Sequence, residues 1–189
     1  MRRIVALILS LFICTTLSAE EFTSTKAKPD YWGEVAVKVR DSRGSILYTA
    51  KFKKPDYWGE VIVEYTDQSG RRGGRSKILK ADYWGNVTVE HYDADGSRAG
   101  KSVIEKPDYW GDVRTKHYDE RGYLVATTTR KKPDYWGETP TEYRDSNGRY
   151  VGSAKRKKPN YWGEVETRHT IQSDTSISGV VLLYILTGE

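Results

Sequence analysis

Six tyrosine–tryptophan pairs are the residues of this sequence whose type and spacing most directly suggest binding chemistry. Each pair lies in a block that reads Lys-Pro-Asp-Tyr-Trp-Gly or a close variant. An aromatic ring joins a large apolar face to a polar edge, so a row of rings can stack against the sugar faces of a repeating polymer. The candidate binding residues are Tyr31, Trp32, Tyr57, Trp58, Tyr83, Trp84, Tyr109, Trp110, Tyr135, Trp136, Tyr161 and Trp162.

The same aromatic residues also have a structural interpretation. The chain is poor in leucine, isoleucine, phenylalanine and methionine, so each tryptophan is needed to cover its turn and to supply buried area. If the dipeptide is extended, its two side chains point to opposite sides, one into the core and one outward. We favour the tryptophans as core residues and leave the tyrosines open between the two roles.

Acidic residues flank most of these pairs. Paired carboxylates can hydrolyse glycosides, but a catalytic pair is normally built once and its two pKa values are pushed apart. Repetition instead predicts turn capping and pairing with lysine, and hence a protein that is not an enzyme. The flanking acids considered are Asp30 and Glu34, Asp56 and Glu60, Asp108 and Asp112, and Asp134 and Glu138.

Three histidines share one register, seven residues after a tryptophan: His91, His117 and His169. The other repeats have Val39, Tyr65 and Tyr143 at this position. Exchange with tyrosine predicts a packed position with a polar tip rather than a metal ligand. The "DADG" segment from Asp93 has the start of a calcium loop without its bidentate glutamate. We predict no metal and no cofactor.

The spacing of the tryptophans is 26 residues throughout, which indicates stacked structural units. Within a unit, Val61, Val63 and Tyr65 alternate with other residues, as in a strand with one packed face. An Asp-x-x-Gly turn and a second strand follow. The sequence predicts an all-β protein, a tandem array of six 26-residue β-hairpin repeats in a single elongated domain with a thin core.

An antiparallel meander is favoured over a solenoid with one coil per repeat. In every repeat a lysine directly precedes the dipeptide Pro-Asp, Ala-Asp or Pro-Asn. A solenoid would stack these lysines about 4.7–4.9 Å apart, and like charges so close are destabilising. A propeller blade needs more residues than one repeat supplies. Charges at outward positions such as Lys38, Glu64 and Arg114 leave no lipid-facing stripe, which argues against a transmembrane barrel of about twelve strands.

The ends of the chain differ from the repeats. Residues 1–19 have the layout of a secretory signal peptide, with cleavage expected after Ala19. Residues 20–26 are a lead-in, 27–168 the six repeats, and 169–189 an atypical C-terminal capping strand. The one cysteine, Cys14, lies in the signal peptide, so the mature chain has no disulfide. These features predict a secreted or periplasmic protein.

The charge balance limits the classes of partner. The formal net charge is +5, and loss of Arg2 and Arg3 with the signal peptide leaves +3. Because the two signs alternate along the repeats, no basic patch for nucleic acid is predicted. The run from Val180 to Leu186 is too short to span a bilayer as a helix, so no membrane span is expected in the mature chain.

The Asp–Gly hairpins resemble the YD repeats of Rhs and teneurin proteins. The segments "KHYDERGYLVATT" from Lys116, "EHYDADGSRAG" from Glu90 and "TEYRDSNGRYVGS" from Thr141 carry this resemblance, which covers residues 35–155. It implies β-hairpin repeats and a secreted or surface setting. In that family the repeats form a shell around a toxin, and this chain is too short to enclose one.

Two functions follow from the sequence. In the first, a secreted or envelope-associated binding module contacts a glycan or cell-wall polymer with its Tyr–Trp pairs, weakly per repeat and usefully in sum. In the second, the aromatics form the core of an interaction scaffold whose protein partner meets the apolar strand from Val180 to Leu186.

Overall fold

A computed structural model describes residues 19–172 and 179–188. The predicted signal peptide, apart from Ala19, lies outside the described residues, as do residues 173–178 of the predicted capping strand and residue 189. Cleavage after Ala19 therefore stays a prediction.

Twelve antiparallel strands form a closed barrel, in which each strand pairs with its neighbours in the sequence and the first pairs with the last. The predicted all-β class and the hairpin repeats are confirmed, but the open elongated array is wrong because the meander closes on itself. The elements are β1 (Ala19–Lys26), β2 (Val35–Asp41), β3 (Ile46–Phe52), β4 (Val61–Asp67), β5 (Arg72–Ile78), β6 (Val87–Tyr92), β7 (Arg98–Ile104), β8 (Val113–Asp119), β9 (Leu124–Arg130), β10 (Thr139–Asp145), β11 (Tyr150–Arg156), β12 (Val165–Gln172) and α1 (Gly179–Thr187).

The barrel closes through β1, which pairs with β12 from Ala19↔Gln172 to Lys26↔Val165 and with β2 on its other side. The sixth repeat contributes only its first strand, and β1 occupies the place of its second. The predicted lead-in is therefore half a repeat. The sequence pattern that indicates this is a small residue that recurs every 26 positions and is buried in each case: Ser24, Ala50, Ser76, Ser102, Thr128 and Ala154.

Large and small side chains face each other across the strand pairs inside the barrel. Tyr65 is opposite Gly74, and His91 is opposite Gly100. Where the first strand has the smaller Val39, its partner is Tyr48. The predicted packed face of valines followed by tyrosine or histidine is confirmed: its later residues, such as Val63 and Tyr65, are buried, and the first, such as Val61, is half-buried.

Helix α1 lies inside the barrel and fills its lumen. Val180, Leu183 and Ile185 are buried among residues from strands around the wall. The predicted closing strand is wrong from Gly179 to Thr187, which form a helix, and the run from Val180 to Leu186 is not an exposed strand edge. Inside a closed barrel no strand edge is free, so a segment there satisfies its backbone hydrogen bonds internally, as a helix does. A barrel of this size also leaves space that side chains of the wall alone do not fill.

A chain of hydrogen-bonded side chains runs around the inner wall. Ser76 Oγ lies 3.0 Å from Tyr65 Oη and 2.8 Å from His91 Nδ1. Ser102 Oγ continues the chain, 2.7 Å from His91 Nε2 and 2.7 Å from His117 Nδ1. The histidines are buried, as their exchange with tyrosine predicts. Burial lowers the pKa of His91 to about 4 and, with the charge of His91, that of His117 to about 3.

A second, shorter chain of hydrogen-bonded side chains connects β10, β12 and β1. His169 Nδ1 lies 2.8 Å from Tyr143 Oη, and its Nε2 lies 2.9 Å from Ser24 Oγ of β1. Burial lowers the pKa of His169 to about 4. Within the described ranges, no helix is both long and apolar enough to cross a membrane.

Candidate functional site

All six Tyr–Trp turns lie at one end of the barrel, because they are the alternate connections of an up-and-down meander. We call their twelve aromatic side chains, Tyr31, Trp32, Tyr57, Trp58, Tyr83, Trp84, Tyr109, Trp110, Tyr135, Trp136, Tyr161 and Trp162, the aromatic rim. The opposite end, the hairpin rim, consists of the Asp-x-x-Gly turns at 41–44, 67–70, 93–96, 119–122 and 145–148. The structure thus brings all the candidate binding residues together in a ring rather than a row.

Each aromatic pair occupies the tip of a tight turn. Asp30 Oδ1 accepts hydrogen bonds from the backbone N–H groups of Trp32 and Glu34, each 2.9 Å long. The N–H of Gly33, whose φ is +77°, donates to the carbonyl of Asp30. The other five turns repeat this pattern, with Asn160 in place of the aspartate in the sixth. Tyrosine and tryptophan are the two central residues of the turn and not an extended dipeptide, so both point outward.

Both rings of every pair are exposed to solvent. The tyrosines are 93–95% exposed and the tryptophans 69–74% exposed. The preference for tryptophan as a core residue is therefore wrong. The lumen has no room for these rings, since valines, small residues, buried tyrosines and histidines, and α1 already fill it.

The two rings of a pair are held in a fixed mutual geometry. Their centroids lie 5.2–5.4 Å apart and their planes are inclined by 85–87° in all six pairs. Such an edge-to-face contact is favourable by about 0.5–1.5 kcal/mol. Each pair therefore presents the same preformed right-angled aromatic surface around the rim.

Lysine side chains connect neighbouring turns of the rim. A Cβ built on Gly33 would lie 3.9 Å from Cγ of Lys54, and one on Gly163 would lie 3.6 Å from Cδ of Lys28 across the closure. The aliphatic part of these side chains thus covers the glycine of the preceding turn. The rim combines aromatic rings with an exposed lysine in each repeat: Lys28, Lys54, Lys80, Lys106, Lys132 and Lys158.

The acids that flank the pairs cap turns and form salt bridges, as their repetition predicts. Besides Asp30, the aspartates of the other turns accept backbone hydrogen bonds. Glu34 pairs with Lys51, and Glu60 lies 2.6 Å from Lys77. The hydrogen bond from Lys131 to Asp112, 2.8 Å long, holds the pKa of this carboxyl below its usual value.

The residues considered for metals are engaged in other contacts. Asp95 Oδ1 accepts hydrogen bonds from the N–H and the hydroxyl of Ser97, so the "DADG" segment forms a turn. In the parts of the chain that the structure describes, no group of three or more histidine, cysteine or acidic side chains is arranged to hold a metal ion.

A cleft of about 470 Å³ opens where β1, β2 and β12 meet, toward the hairpin end of the barrel. No Asp-x-x-Gly turn joins β12 to β1, because β1 is the first strand of the chain and β12 the last. Its lining mixes Arg40 and Arg168 with Glu21 and Glu166 and includes none of the aromatic-rim residues.

Three half-buried cationic side chains near the aromatic rim, Lys26, Arg130 and Arg156, were not predicted from the sequence. The pattern that could have revealed them is the 26-residue spacing, because they occupy the same position of the repeat as Phe52, Ile78 and Ile104. Each ends the second strand of a hairpin and is half-buried at the mouth of the barrel. Nearby, a cavity of about 60 Å³ lies beside Arg130 and is also lined by Thr115 and Thr128.

The resemblance of the hairpins to YD repeats stays a prediction. Comparisons of the chain with protein-family models, with curated proteins and with solved structures found no match.

Proposed function

We propose that this protein is a non-enzymatic, secreted or envelope-associated binding module that contacts a glycan or cell-wall polymer through its aromatic rim. The observation that carries the proposal is the exposure of all twelve rings at one end of the barrel. Large exposed aromatic surfaces on a folded protein are typical of interaction sites. Nothing in the packing of the barrel requires these rings, because they lie outside its core.

The ring arrangement favours a multivalent contact. Neighbouring pairs are two strands apart, about 10 Å along the rim. Each pair offers a weak contact to one or two sugar faces, and six pairs engaged together gain affinity because later contacts form within the same complex. Because the aromatic rim is a closed ring, it is better suited to contact a broad polymer surface, such as a cell-wall layer, than to bind along one isolated polymer chain.

The alternative, a scaffold whose aromatics form the core and whose partner is another protein, has less support. Its premise of buried aromatic residues conflicts with their exposure. Its proposed partner surface, from Val180 to Leu186, is a buried helix in the lumen.

Co-sedimentation of the processed protein (residues 20–189) with isolated bacterial cell walls tests the proposal. Binding that persists at high salt is expected, since stacking of rings on sugars does not depend on charge. Binding that is lost at high salt would mean that the interaction is only the electrostatic attraction between the lysines and an anionic wall. No binding at either salt concentration would reject this polymer class.

Two tyrosines at opposite ends of the barrel provide the matched variants. Tyr83 in the aromatic rim is 93% exposed, and Tyr123, directly after the 119–122 turn of the hairpin rim, is 68% exposed. Tyr83→Ala, and more strongly the double variant Tyr83→Ala with Trp84→Ala, is expected to weaken sedimentation. Tyr123→Ala is expected to leave it unchanged. Equal losses from both tyrosines would contradict a site confined to the aromatic rim.

A further inference from the structure

We propose that two neighbouring turns of the aromatic rim together bind one segment of a straight, β-1,4-linked glycan chain, so that the closed rim holds six overlapping sites of this kind. Such sites presuppose the proposed function. They add to it the class of polymer and the part of the rim that one chain occupies. Isolated oligosaccharides measure them separately from cell walls.

The register of the strands repeats identically around the barrel. Val35 is opposite Phe52, and Phe52 is opposite Val63, which lies two residues beyond Val61, the counterpart of Val35 in the second repeat. The same shift of two residues recurs in the other repeats and across the closure from β12 through β1 to β2. Every step from one turn to the next therefore has the same geometry, two strands or about 10 Å across the sheet.

Each turn offers one aromatic corner for a sugar. The two rings of a pair are inclined by 85–87° with their centroids 5.2–5.4 Å apart, and both rings are exposed. A sugar that stacks on the face of one ring is bordered at its side by the other ring. Sugars with equatorial substituents, as in β-1,4-linked glucose and N-acetylglucosamine, have flat C–H faces that stack well on aromatic rings.

One lysine per repeat lies between neighbouring corners. In five of the six steps its aliphatic part packs against the glycine of the preceding turn, as Lys106 does 3.6 Å from a Cβ built on Gly85. Among the described residues these lysines form no salt bridge, whereas the lysines just before them, such as Lys131 and Lys157, are paired with acids. An ammonium group only donates hydrogen bonds. The segment between two stacked sugars is therefore expected to present acceptor oxygens, which the hydroxyl and acetamido groups of a glycan supply.

The closed ring limits how many turns one chain reaches. Six equal steps complete the circle, so the line from one turn to the next changes direction by one sixth of a full circle at each turn. A β-1,4-linked chain is straight because its linkages are equatorial, and it lies along one step and leaves the ring at both ends. An α-1,4-linked chain curls and turns its sugar faces away from one line. One straight chain therefore contacts two turns.

Oligosaccharides of increasing length measure this span. Chitobiose, chitotetraose and chitohexaose are titrated into the processed protein (residues 20–189), and the indole N–H signals of its six tryptophans are followed by NMR. Roughly three or four sugars are needed to reach a second turn about 10 Å away. Affinity is expected to rise about tenfold from chitobiose to chitohexaose, because the second contact is intramolecular, and to rise little beyond it. A steep rise that continues with longer chains would mean that one chain follows the ring, and would overturn the proposal.

The linkage is tested with maltose and maltohexaose, which have the α-1,4 linkage. Their affinities are expected to differ by less than about twofold, because the curled chain does not join two corners. An equal gain with length in the α-linked and β-linked series would overturn the choice of a straight chain.

Two triple variants separate the proximity of turns from their number. Trp32→Ala with Trp84→Ala and Trp136→Ala removes every second tryptophan, so no two of the remaining three are neighbours. Trp32→Ala with Trp58→Ala and Trp84→Ala removes the same number but leaves three in succession. Because all six rings are exposed to a similar degree, the two variants are expected to have the same melting temperature. Only the second is expected to keep the gain from chitobiose to chitohexaose, and similar gains in both would overturn the proposal.

Cell-wall sedimentation distinguishes failure of the two-turn site from failure of the proposed function. If walls sediment the protein while chitohexaose binds no better than chitobiose, the two-turn site is rejected and a polymer contact of another class is left. If neither walls nor any oligosaccharide binds, both proposals are rejected. Wall binding together with the gain in length and its loss in the first triple variant supports both.

Discussion

Each tryptophan of the aromatic rim makes its main ring contact with the tyrosine beside it. The Tyr83 and Trp84 rings lie 5.3 Å apart, and Trp84 is 69% exposed. Trp84→Ala is therefore expected to lower the free energy of unfolding by only about 0.5–1.5 kcal/mol, the value of the aromatic contact. Ile185→Ala, in the buried helix, is expected to cost about 2–5 kcal/mol. Urea denaturation compares them, and a loss of 3 kcal/mol or more from Trp84→Ala would contradict an exposed ring.

The hydroxyl–imidazole chain on the inner wall can run in one of two directions. The Thr187 hydroxyl, whose hydrogen bonding affects the pKa of Tyr65, donates to the carbonyl of Leu183, so we expect the Tyr65 hydroxyl to donate toward Thr187 and to accept from Ser76. Ser76 in turn accepts from Nδ1–H of His91.

The same order continues to His117, since Ser102 donates to His91 Nε2 and accepts from His117 Nδ1–H. Both histidines are thus expected to carry their proton on Nδ1 at neutral pH. Nitrogen-15 chemical shifts of the two rings measure this. Protonation of either ring on Nε2 would reverse the direction that we derive.

The buried histidines make stability depend on pH. In the unfolded chain a histidine has a pKa near 6.5, whereas burial lowers the pKa of His91 and His169 to about 4 and of His117 to about 3. Well above pH 6.5 all three are neutral in both states and their contribution to stability is complete. As the pH falls from 6.5 toward the folded-state pKa values, only the unfolded chain gains protons, so the folded state loses stability.

The expected loss between pH 7 and pH 5 is about 2 kcal/mol per histidine, measured as the free energy of unfolding in urea. His91→Tyr removes one of the titrating groups and introduces the residue that is opposite glycine in two other repeats, Tyr65 and Tyr143. The variant is expected to lose about 2 kcal/mol less than the natural chain over the same interval. An unchanged pH dependence would show that His91 is not the source.

At the scale of strands, the wall of the barrel is shaped by irregular pairing at the hairpin end. The register shifts between His91 and Tyr92, and Gly100 takes φ of +149° there. A Cβ on Gly100 would lie 2.3 Å from the carbonyl oxygen of Tyr118 on the next strand. This bulge bends the strand so that the large His91 ring fits in the lumen.

Gly100→Ala is expected to destabilise the protein by more than about 3 kcal/mol, because the backbone of a neighbouring strand must move. The control is Gly96→Ala, with φ of +91° in an exposed turn and no atom within 4 Å of its Cβ. There only the backbone conformation is strained, and we expect a loss of about 1–2 kcal/mol. Thermal and urea unfolding compare the two, and equal losses would contradict the tight contact between β7 and β8.

The sequence predicts the strands well, because alternation along Val61, Val63 and Tyr65 reports directly on one buried face. It predicts the helix poorly, since a short apolar run such as Val180 to Leu186 has no periodicity that separates strand from helix. The exposure of Trp84 was also missed. A turn residue is not governed by the alternation rule, and the same Asp-x-x-Gly hydrogen bonds form at both ends of every full repeat.

At the scale of the whole molecule, closure depends on contacts between the two ends of the chain. Ser24 of β1 bonds to His169 of β12, 145 residues away. No local pattern reports such a pairing, which explains why the sequence indicates hairpins but not a barrel. Closure pairs the edges that an open meander would expose, and unpaired edges are sites of association between chains.

Because its strand edges are paired, the closed barrel is expected to be a monomer, and removal of β1 is expected to produce associating chains. A chain that begins at Ala27 leaves β2 and β12 each with one unpaired edge, and size-exclusion chromatography with light scattering should detect dimers or larger species. Addition of the peptide AEEFTSTK, residues 19–26, is expected to restore the monomer by adding the missing strand.

The alternating faces of β1 provide the control: a peptide with Thr23→Glu should still act, since Thr23 is opposite Arg40 and Arg168. A peptide with Ser24→Glu should not, because Ser24 is buried inside the barrel and an added carboxylate there would be desolvated. Equal activity of the two variant peptides, or a monomeric and equally stable truncated chain, would mean that β1 does not close the barrel.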